Sequence, residues 1–466
     1  MVGSRAHGYK GVMRRHSPDR WLSWSLIALL LAATALAAPD ARGEEVTGPC
    51  AAVMDPNNAP STDLRVEHLL IDGVHVNVLV PPLYAQRHRR YPVLYLFHGA
   101  FGDEDSFTTQ TDLLALTARM DDHDEALVVM PDGGHVPAGR DWVDGTHHQE
   151  TFVIDTLLPY IDAHYRTIGD RSHRAAAGFS AGGMNAMIFA ARHPDRFVAA
   201  GSFSGPLDIF APVGIGIVQQ FADLDNQFCG ASANWLGIWG DPVAHPMGWM
   251  GHDPSDLAAN LGEVSVYVAS GNGLPCADDP TPDPFLSFVE SVAFDMATTF
   301  DAALTAAGVR HVTELRACGV HRFSNASHDL RRFWPHMLDA FGHRPPSRFD
   351  YRTGDDVASV WGWAFSADPA RAPEFLDVRH ASAEGLALTG SGSESVVTAP
   401  LFGPHQSIEV IGAGQARSVR ADGAGRLAFT VDLGPPHIVE EGTVSASNDP
   451  GSFVTRDVRF ERRHFR

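Results

Sequence analysis

Apolar and polar residues alternate in two different ways along the chain. From about residue 66 to 342, short apolar runs of strand length are separated by stretches with the 3.6-residue period of helices. Strands are predicted at 75–80, 92–97, 126–130, 174–179, 197–203, 264–269 and 312–317, and helices at 150–164, 184–192 and 288–307. Strands that alternate with helices are typical of a mostly parallel sheet covered on both faces, so this part is predicted to be an α/β domain.

The pattern changes at the segment His343-Arg-Pro-Pro-Ser-Arg348. Beyond it, short runs alternate apolar with polar residues between Gly, Pro and Asp turns, beginning near residues 357, 375, 395, 407 and 427. No long helical pattern separates these runs, which is typical of an all-β sandwich. We therefore expect an α/β domain over residues 44–345 that folds by itself, and a sandwich-like accessory domain over residues 346–466.

The first 43 residues have the three-part layout of a secretory signal peptide. Basic residues, among them Arg14 and Arg15, precede an apolar run from Leu26 to Ala38 that ends in small residues. This run is shorter than the roughly 20 residues that span a bilayer, and no later stretch is long and apolar enough to do so. The sequence predicts a signal peptide over residues 1–43 and a mature protein that is secreted or held in the cell envelope, with no integral membrane segment.

Composition and charge narrow the class of protein. Hydrophobic residues make up 44% of the 466 positions and charged residues 20%, which is enough apolar material for a sizeable core and excludes a disordered or fibrous chain. The formal net charge of -21 repels phosphate groups. We therefore expect no nucleic-acid partner.

Four cysteines, Cys50, Cys229, Cys276 and Cys318, follow the predicted signal peptide. An even number in an exported protein predicts two disulfides, with three pairings open. We favour Cys276 with Cys318, because both flank the ends of predicted strands. The sequence has no C-x-x-C pair and no His-rich spacing, so it predicts no metal site.

The strongest chemical signal is Gly178-Phe-Ser-Ala-Gly-Gly183, which follows a predicted strand and opens a predicted helix. In that context G-x-S-x-G predicts a nucleophile elbow, a sharp turn that strains Ser180 and exposes its hydroxyl. Glycines on either side let the strand and the helix approach each other closely. The amide of Ala181, at the start of the helix, is then a predicted donor to an oxyanion.

A second oxyanion donor is expected in the loop after an earlier strand. The segment Tyr95-Leu-Phe-His-Gly-Ala-Phe-Gly102 provides one, because a strand runs into His-Gly and the next amide can point into the site. We favour Ala100; Phe101 is the neighbour that an error of one residue in register would select. A purely structural turn is the alternative for this segment.

Several motifs together resemble the esterase D family of α/β-hydrolases. They are Tyr95-Leu-Phe-His-Gly99, Met130-Pro-Asp-Gly-Gly134, Trp142 with Glu150-Thr-Phe152, the Ser180 elbow, His252-Asp-Pro254 and Ala269-Ser-Gly-Asn-Gly273. Their spacing is most similar to the antigen 85-like mycolyltransferase branch of actinobacteria, over about residues 65 to 342. The resemblance implies an α/β-hydrolase fold and a triad of serine, glutamate and histidine. Such chemistry requires no metal and no organic cofactor.

The general base must be a histidine after the last strand, because the chain order in this fold is serine, acid, histidine. His321 directly follows a predicted strand, and its Gly-x-His setting is similar to the segment that carries the family's histidine. His328, seven residues later, begins a helical stretch, where a structural or surface role is expected. We favour His321.

The residues themselves leave the acid open. Asp278, Asp279 and Asp283 lie in the loop after a predicted strand, a common position for the acid in α/β-hydrolases. Glu290 lies in a predicted helix, and only its spacing to His321, which resembles that of the family's glutamate, sets it apart. On that resemblance we favour Glu290.

Two features bear on the substrate. Residues 206–241 carry many large apolar side chains where this fold often places a lid or acyl cleft, although ordinary core helices have the same composition. The resemblance also implies a trehalose pocket, but His98, Phe101 and Phe323 stand where groups that hold the sugar are expected. Mycolyl transfer to trehalose is therefore not the leading expectation.

The sequence thus predicts a secreted serine esterase that hydrolyses a small-molecule or lipid ester through Ser180, His321 and Glu290. The alternative within the family is an acyltransferase that moves an acyl chain to a sugar or other alcohol, with a cell-wall glycolipid as partner. The alternative from another class is a catalytically silent protein whose β-domain binds cell-wall glycan. An intact serine, base and acid count against that last reading.

Overall fold

The chain forms an α/β part that ends before residue 343 and an all-β part that begins at residue 349. The computed structural model describes residues 60–229, 234–277, 283–414, 417–443 and 452–462, and the predicted signal peptide lies outside them. The predicted division into an α/β domain followed by an all-β domain is confirmed.

The α/β part is built on one sheet. Its strands are β1 (Val66–Ile71), β2 (Val74–Leu79), β3 (Val93–Phe97), β4 (Leu127–Pro131), β5 (Arg174–Phe179), β6 (Ala199–Phe203), β7 (Ser265–Ser270) and β8 (His311–Leu315). They lie in the order β1-β2-β4-β3-β5-β6-β7-β8. Strand β2 is antiparallel to β1 and to β4, and the other neighbours are parallel. The carboxyl ends of the parallel strands therefore share one edge, where ligand sites form in such sheets.

Helices cover both faces of this sheet. Their bounds are α1 (Ser106–Gln110), α2 (Leu113–Thr117), α3 (Gln149–Thr151), α4 (Leu158–His164), α5 (Ala181–Arg192), α6 (Pro212–Cys229), α7 (Trp235–Trp239), α8 (Pro246–Met250), α9 (Pro284–Ala306) and α10 (Phe323–Ala340). A π-helical segment, Phe152–Leu157, joins α3 to α4. The predicted helix 150–164 is thus helical throughout but contains one wider turn.

The central strands are buried on both faces, as the apolar runs predicted. In β3, Leu94 and Leu96 point into a core that includes Phe333 of α10, while Val93 and Tyr95 point to the opposite face. Alternation along a strand sends neighbouring side chains to opposite faces, so a strand that is apolar throughout needs helices on both sides.

Two antiparallel sheets pack into the β-domain. Their strands are β9 (Phe349–Thr353), β10 (Val357–Val360), β11 (Trp363–Ala367), β12 (Leu376–Ser382), β13 (Gly385–Gly390), β14 (Ser393–Val397), β15 (Ser407–Ile411), β16 (Arg417–Arg420), β17 (Ala428–Asp432) and β18 (Val454–Arg462). One sheet has the order β10-β11-β14-β17 and the other β16-β15-β18-β13-β12-β9. Phe365 of the first sheet and Val378 of the second lie in the same apolar core, which is the arrangement of a sandwich.

The β-domain packs closely against the α/β part. Phe375 lies in an α/β-part core together with Met247 of α8. Asn260 donates to the carbonyl of Arg352 (2.8 Å) and accepts from its amide (2.7 Å). This reciprocal pairing holds β9 against the α/β part, so the segment 343–348 leads directly into an interface.

Candidate active site

Ser180 lies in the tight turn between β5 and α5. Its backbone has φ 56° and ψ -126°, a conformation that costs on the order of 1–3 kcal/mol for a residue with a side chain. A Cβ atom at Gly182 would lie 2.0 Å from the carbonyl oxygen of Phe97, and one at Gly178 would lie 2.4 Å from the carbonyl of Gly182. Only glycine fits at both positions, so the sequence around the serine imposes the elbow.

His321 and Glu290 join Ser180 in one chain of hydrogen bonds. The Nε2 atom of His321 lies 2.8 Å from the Oγ atom of Ser180, and its Nδ1 atom lies 2.7 Å from Oε2 of Glu290. The amide of His321 donates to the carbonyl of Leu286 (3.2 Å), which ties the loop after β8 to the helix that carries Glu290. The ring of Phe179 stacks on the imidazole, with centroids 4.8 Å apart. The structure therefore brings together the three residues favoured from the sequence.

Glu290 is fully buried, and each of its carboxylate oxygens has partners. Its Oε1 atom accepts from the hydroxyls of Ser204 (2.7 Å) and Ser270 (3.2 Å) and from the amide of Gly271 (2.6 Å). Burial acts to raise the pKa of Glu290, but the hydrogen bond and charge of His321, with the donors on Oε1, outweigh it and hold the pKa below its ordinary value. The carboxyl group is therefore held ionised beside His321.

The other candidates for base and acid lie elsewhere. His328 is exposed and lies 3.1 Å from its neighbour Asp329, without contact to Ser180. Asp283 caps α9 by accepting from the amides of Phe285 and Leu286. Asp278 and Asp279 lie outside the described residues.

The two amides proposed as oxyanion donors are unengaged. Among the residues that the structure describes, the amides of Ala100 and Ala181 donate to no acceptor. The amide of Phe101 donates to the carbonyl of His135 (2.8 Å), so this neighbour is already occupied. Of these two neighbours, Ala100 is therefore the one whose amide is free to donate to an oxyanion.

Ser204 is a site residue that the sequence reasoning missed. It follows β6 directly, has a φ of 54° and donates to Glu290. Its amide donates to the carbonyl of Ala269 (2.7 Å), which fixes it between β6 and β7. Strained residues other than glycine are common at functional sites, and here the strained residue directly contacts Glu290. The available signal was a serine at the end of the predicted strand 197–203.

The three residues whose identities argue against a trehalose pocket lie in the wall of the site or in the protein core. His98 is 3% exposed and Phe101 is 8% exposed. Phe323 packs its ring between those of Phe107 and Phe179, with centroids 5.7 Å and 4.7 Å away. None of the three presents a polar group to a sugar at the surface.

Side chains of the apolar segment 206–241 pack in two different places. Val218 of α6 and Ile238 of α7 belong to a buried cluster with Met184 of α5, as core helices do. Phe221 of α6 instead contacts the ring of Phe101, with centroids 5.9 Å apart. Helix α6 therefore stands beside the loop that carries Ala100.

The predicted disulfide between Cys276 and Cys318 is present. It links the loop after β7 to the loop after β8. Backbone hydrogen bonds join the same loops, from Gly273 to Gly319 (2.9 Å) and from Gly319 to Leu274 (2.7 Å). Cys50 and the side chain of Cys229 lie outside the described residues, so the second predicted disulfide stays a prediction.

The described part of the chain contains no group of three or more His, Cys, Asp or Glu side chains placed to hold a metal ion. It also contains no helix with the length and hydropathy needed to cross a bilayer.

Comparison with known proteins identifies the protein family. Residues 70–340, more than half of the chain, match the family described as "Putative esterase". The protein belongs to this esterase family, which confirms the resemblance drawn from its motifs.

Several individual proteins are similar to this chain in sequence or structure. Esterase MT1326 and Esterase Rv1288, from two strains of Mycobacterium tuberculosis, are each 32% identical over 243 residues, 51% of this chain and 50% of theirs. The match thus spans half the length of these relatives. The Ag85B protein of Mycobacterium intracellulare, a diacylglycerol acyltransferase/mycolyltransferase, is 30% identical over 226 residues, 46% of this chain and 66% of its own. The solved structure of Mycobacterium tuberculosis MPT51 (FbpC1) aligns with a TM-score of 0.49 and 24% identity, over 61% of this chain and 99% of its own.

Proposed function

We propose that the protein is a serine esterase that cleaves carboxylic esters through Ser180, His321 and Glu290. The observation that carries the proposal is the unbroken chain of hydrogen bonds from the hydroxyl through the imidazole to a buried carboxylate. Such a chain makes a serine nucleophilic at neutral pH, because the imidazole takes its proton as the oxygen attacks.

In the acylation step, Nε2 of His321 removes the proton of Ser180 while Oγ bonds to the carbonyl carbon of the ester. The carbonyl oxygen becomes an oxyanion, which the free amides of Ala100 and Ala181 stabilise. Glu290 keeps the remaining proton on Nδ1 and stabilises the imidazolium. The proton on Nε2 then passes to the departing alkoxide, which leaves as an alcohol.

In the deacylation step, water takes the place of the alcohol. His321 removes a proton from the water, whose oxygen attacks the acyl-serine carbon. The same two amides stabilise the second oxyanion. Collapse returns the proton to Ser180 and releases a carboxylic acid, so the enzyme is regenerated without a co-reactant.

Acyl transfer to an alcohol is the second candidate, because the Ag85B relative is named as an acyltransferase. Transfer exceeds hydrolysis only where a site positions the acceptor and excludes water. His98, Phe101 and Phe323 are taken up in the wall and core, which leaves no polar acceptor subsite at those positions. We therefore place hydrolysis of a small-molecule or lipid ester first, with a cell-envelope glycolipid as the acceptor class if transfer occurs.

Export is part of the proposal. The signal-peptide layout of residues 1–43 and the disulfide between Cys276 and Cys318 both fit an oxidising compartment outside the cytoplasm. The esterase would then act on esters of the cell envelope or of the surrounding medium.

The test is covalent labelling with a fluorophosphonate followed by peptide mapping. We expect one adduct on Ser180, and an adduct elsewhere or none would refute the esterase proposal. Glu290→Gln should lower kcat by about 10³-fold or more, because the imidazole loses its orienting carboxylate. Asp279→Asn, at an alternative candidate for the acid, is the matched control and should leave kcat within twofold.

Product analysis separates the two candidates. One acyl donor is supplied with and without trehalose, and the free acid and acylated sugar are quantified. We expect the free acid to dominate in both cases, whereas dominant acyl-trehalose would promote the transferase.

A further inference from the structure

The peptide unit between Gly99 and Ala100 determines where a proposed oxyanion donor points. The carbonyl of Gly99 and the amide of Ala100 belong to one planar unit and point in opposite directions. Any group that holds the Gly99 oxygen therefore aims the Ala100 N–H. The carbonyl accepts from the amide of Gly102 (3.1 Å) and lies 2.7 Å from Nδ1 of His98.

The contacts of His98 define which ring nitrogen carries the proton. Its Nε2 atom lies 2.7 Å from the backbone nitrogen of Gly133, which can only donate. Nε2 is therefore the acceptor, and the proton of the neutral ring lies on Nδ1, where it donates to Gly99. Asp132 Oδ1 is more distant from Nε2 (3.5 Å) and accepts from Gly134 (2.8 Å).

We propose that His98 is a positioning residue for the oxyanion hole: its Nδ1–H holds the Gly99 carbonyl and thereby aims the Ala100 amide at the oxyanion. The inference rests on the proposed function, because Ala100 has this role only if Ser180 forms a tetrahedral intermediate. His98 itself touches no substrate, since it is 3% exposed and lies beneath the loop.

A purely structural role would affect folding more than turnover. The Gly102 amide still closes the turn at Gly99, and the Phe101 amide is held separately by the carbonyl of His135. Loss of the His98 hydrogen bond therefore leaves the loop closed but leaves the Gly99 carbonyl with only the longer Gly102 contact (3.1 Å) among the described residues, so the 99–100 peptide unit is oriented less firmly. Misdirection of an oxyanion donor lowers kcat, because the donor acts mainly in the transition state.

Two substitutions of similar size separate the two ring nitrogens. His98→Asn places an amide nitrogen near the position of Nδ1, so a donor to Gly99 is kept. His98→Gln places an amide oxygen near the position of Nε2, so the acceptor for Gly133 is kept and the donor to Gly99 is lost. We expect the Asn variant to keep a third or more of the wild-type kcat. The Gln variant should lose tenfold or more in kcat, with KM changed less than twofold.

Equal kcat values for the Asn and Gln variants would overturn the proposal, as would a loss expressed in KM alone. Fluorophosphonate labelling taken to completion accompanies the kinetics. Full labelling of Ser180 in both variants shows that the nucleophile and base are intact, so a low kcat belongs to the donor. Absence of labelling in the wild-type enzyme would instead refute the esterase function.

A measurement on the wild-type protein keeps the proposal testable if a variant does not fold. Nitrogen-15 NMR of the histidine side chains distinguishes the two neutral tautomers. We expect His98, assigned by comparison with the better-folded variant or by through-bond correlation, to carry its proton on Nδ1. A proton on Nε2 would leave nothing to donate to Gly99 and would overturn the inference.

Discussion

At the scale of single residues, the site depends on how fully the buried carboxylate of Glu290 is paired. One oxygen faces His321, and the other accepts from two serine hydroxyls and one amide. An unpaired carboxylate at this depth would take up a proton or move toward solvent. The donors on Oε1 therefore keep Oε2 ionised and aimed at the imidazole.

Ser204→Ala should lower kcat about tenfold, because a hydrogen bond to a charged group is worth roughly 1.5–3 kcal/mol. Ser202→Ala is the matched control, since Ser202 lies in β6 two residues before Ser204, is similarly buried, and its hydroxyl has no partner among the described residues. It should keep kcat within twofold. Steady-state kinetics with one ester decides the matter, and equal losses in the two variants would contradict the role of Ser204.

The sequence by itself singles out Ser180 and His321 but not Glu290. The glycines around Ser180 are the ones that a nucleophile elbow requires. His321 is distinguished by its position after the last strand of the sheet. Glu290 lies inside a long helix, where period and composition do not distinguish a site residue from a core residue. Its choice needed a family resemblance. Ser204 carries no local signal beyond its position at a strand end.

At the scale of elements, two loops act as one unit. The loops after β7 and β8 are joined by the Cys276–Cys318 bond and by two backbone hydrogen bonds. The first loop supplies the Gly271 amide to Glu290, and the second leads to His321. A covalent link between the two loops thus helps to fix the position of Glu290 relative to His321.

Reduction of Cys276–Cys318 should lower activity before the protein unfolds. A bond that closes a loop of this length, with a sequence separation of 42, stabilises by about 4 kcal/mol in the chain-entropy description. With mild reductant we expect activity to fall by half or more while the far-UV circular dichroism spectrum is unchanged. The Cys276→Ser/Cys318→Ser double variant is the control, and any loss of activity that reductant still causes in it belongs to the other predicted disulfide. Parallel loss of both signals in the wild-type protein would contradict the prediction.

Strand β14 carries a buried carboxyl group that should make the β-domain sensitive to pH. Glu394 lies 3.4 Å from Arg371, which also faces the buried Glu374 at 3.8 Å. Burial raises the pKa of Glu394 to about 7, against the attraction of Arg371. A raised pKa means that the folded protein binds the proton more tightly than the unfolded chain. The resulting stability is complete below about pH 4.5 and is lost as the pH rises through 7.

Glu394→Gln should therefore change the free energy of unfolding little near pH 5 and raise it at pH 8, by up to about 3 kcal/mol. Urea unfolding at the two pH values measures this difference. Glu384→Gln, a change at an exposed carboxylate of the same domain, is the control and should show no such rise. A larger gain in the free energy of unfolding at pH 5 than at pH 8 would contradict the raised pKa of Glu394.

Strands were predicted best where they are most buried. The range 174–179 coincides with β5, and the other runs of the α/β part begin and end within about two residues of their strands. The predicted run 357–363 is instead β10, a turn at Trp361-Gly362 and the start of β11. The sequence does not predict exposed strands such as β16 and β1 as separate elements, because these strands have at most one apolar face. They are stabilised by pairing with neighbouring strands.

At the scale of the whole molecule, the two parts share an interface that the sequence did not indicate. A Pro-rich segment suggested a linker, but Phe375 is buried in the α/β core and Arg192 is bound by the accessory domain. Asp355 lies 2.9 Å from Nη2 of Arg192. Long-range contacts of this kind leave no local pattern in either segment.

Ending the chain after Pro345 should therefore give insoluble protein or lower Tm by roughly 10 °C or more, since each kcal/mol lost shifts Tm by about 2–4 °C at this size. This reverses the expectation, drawn from the sequence, of a hydrolase that folds alone. Expression of both lengths from residue 44, with calorimetry and fluorophosphonate labelling, is the measurement. A soluble truncated protein with unchanged Tm and full labelling would restore the linker interpretation.

Helix α5 links Ser180 to the accessory domain in a way that limits protein engineering. It begins directly after Ser180 and ends at Arg192, so its 12 residues rise about 18 Å. The carbonyl of Arg192 accepts from the hydroxyl of Tyr351 (2.9 Å), and its guanidinium is paired with Asp355. A chimera with a foreign module would remove both groups. Recombination of this protein should thus succeed only with modules that bring a hydroxyl and a carboxylate to the same helix end.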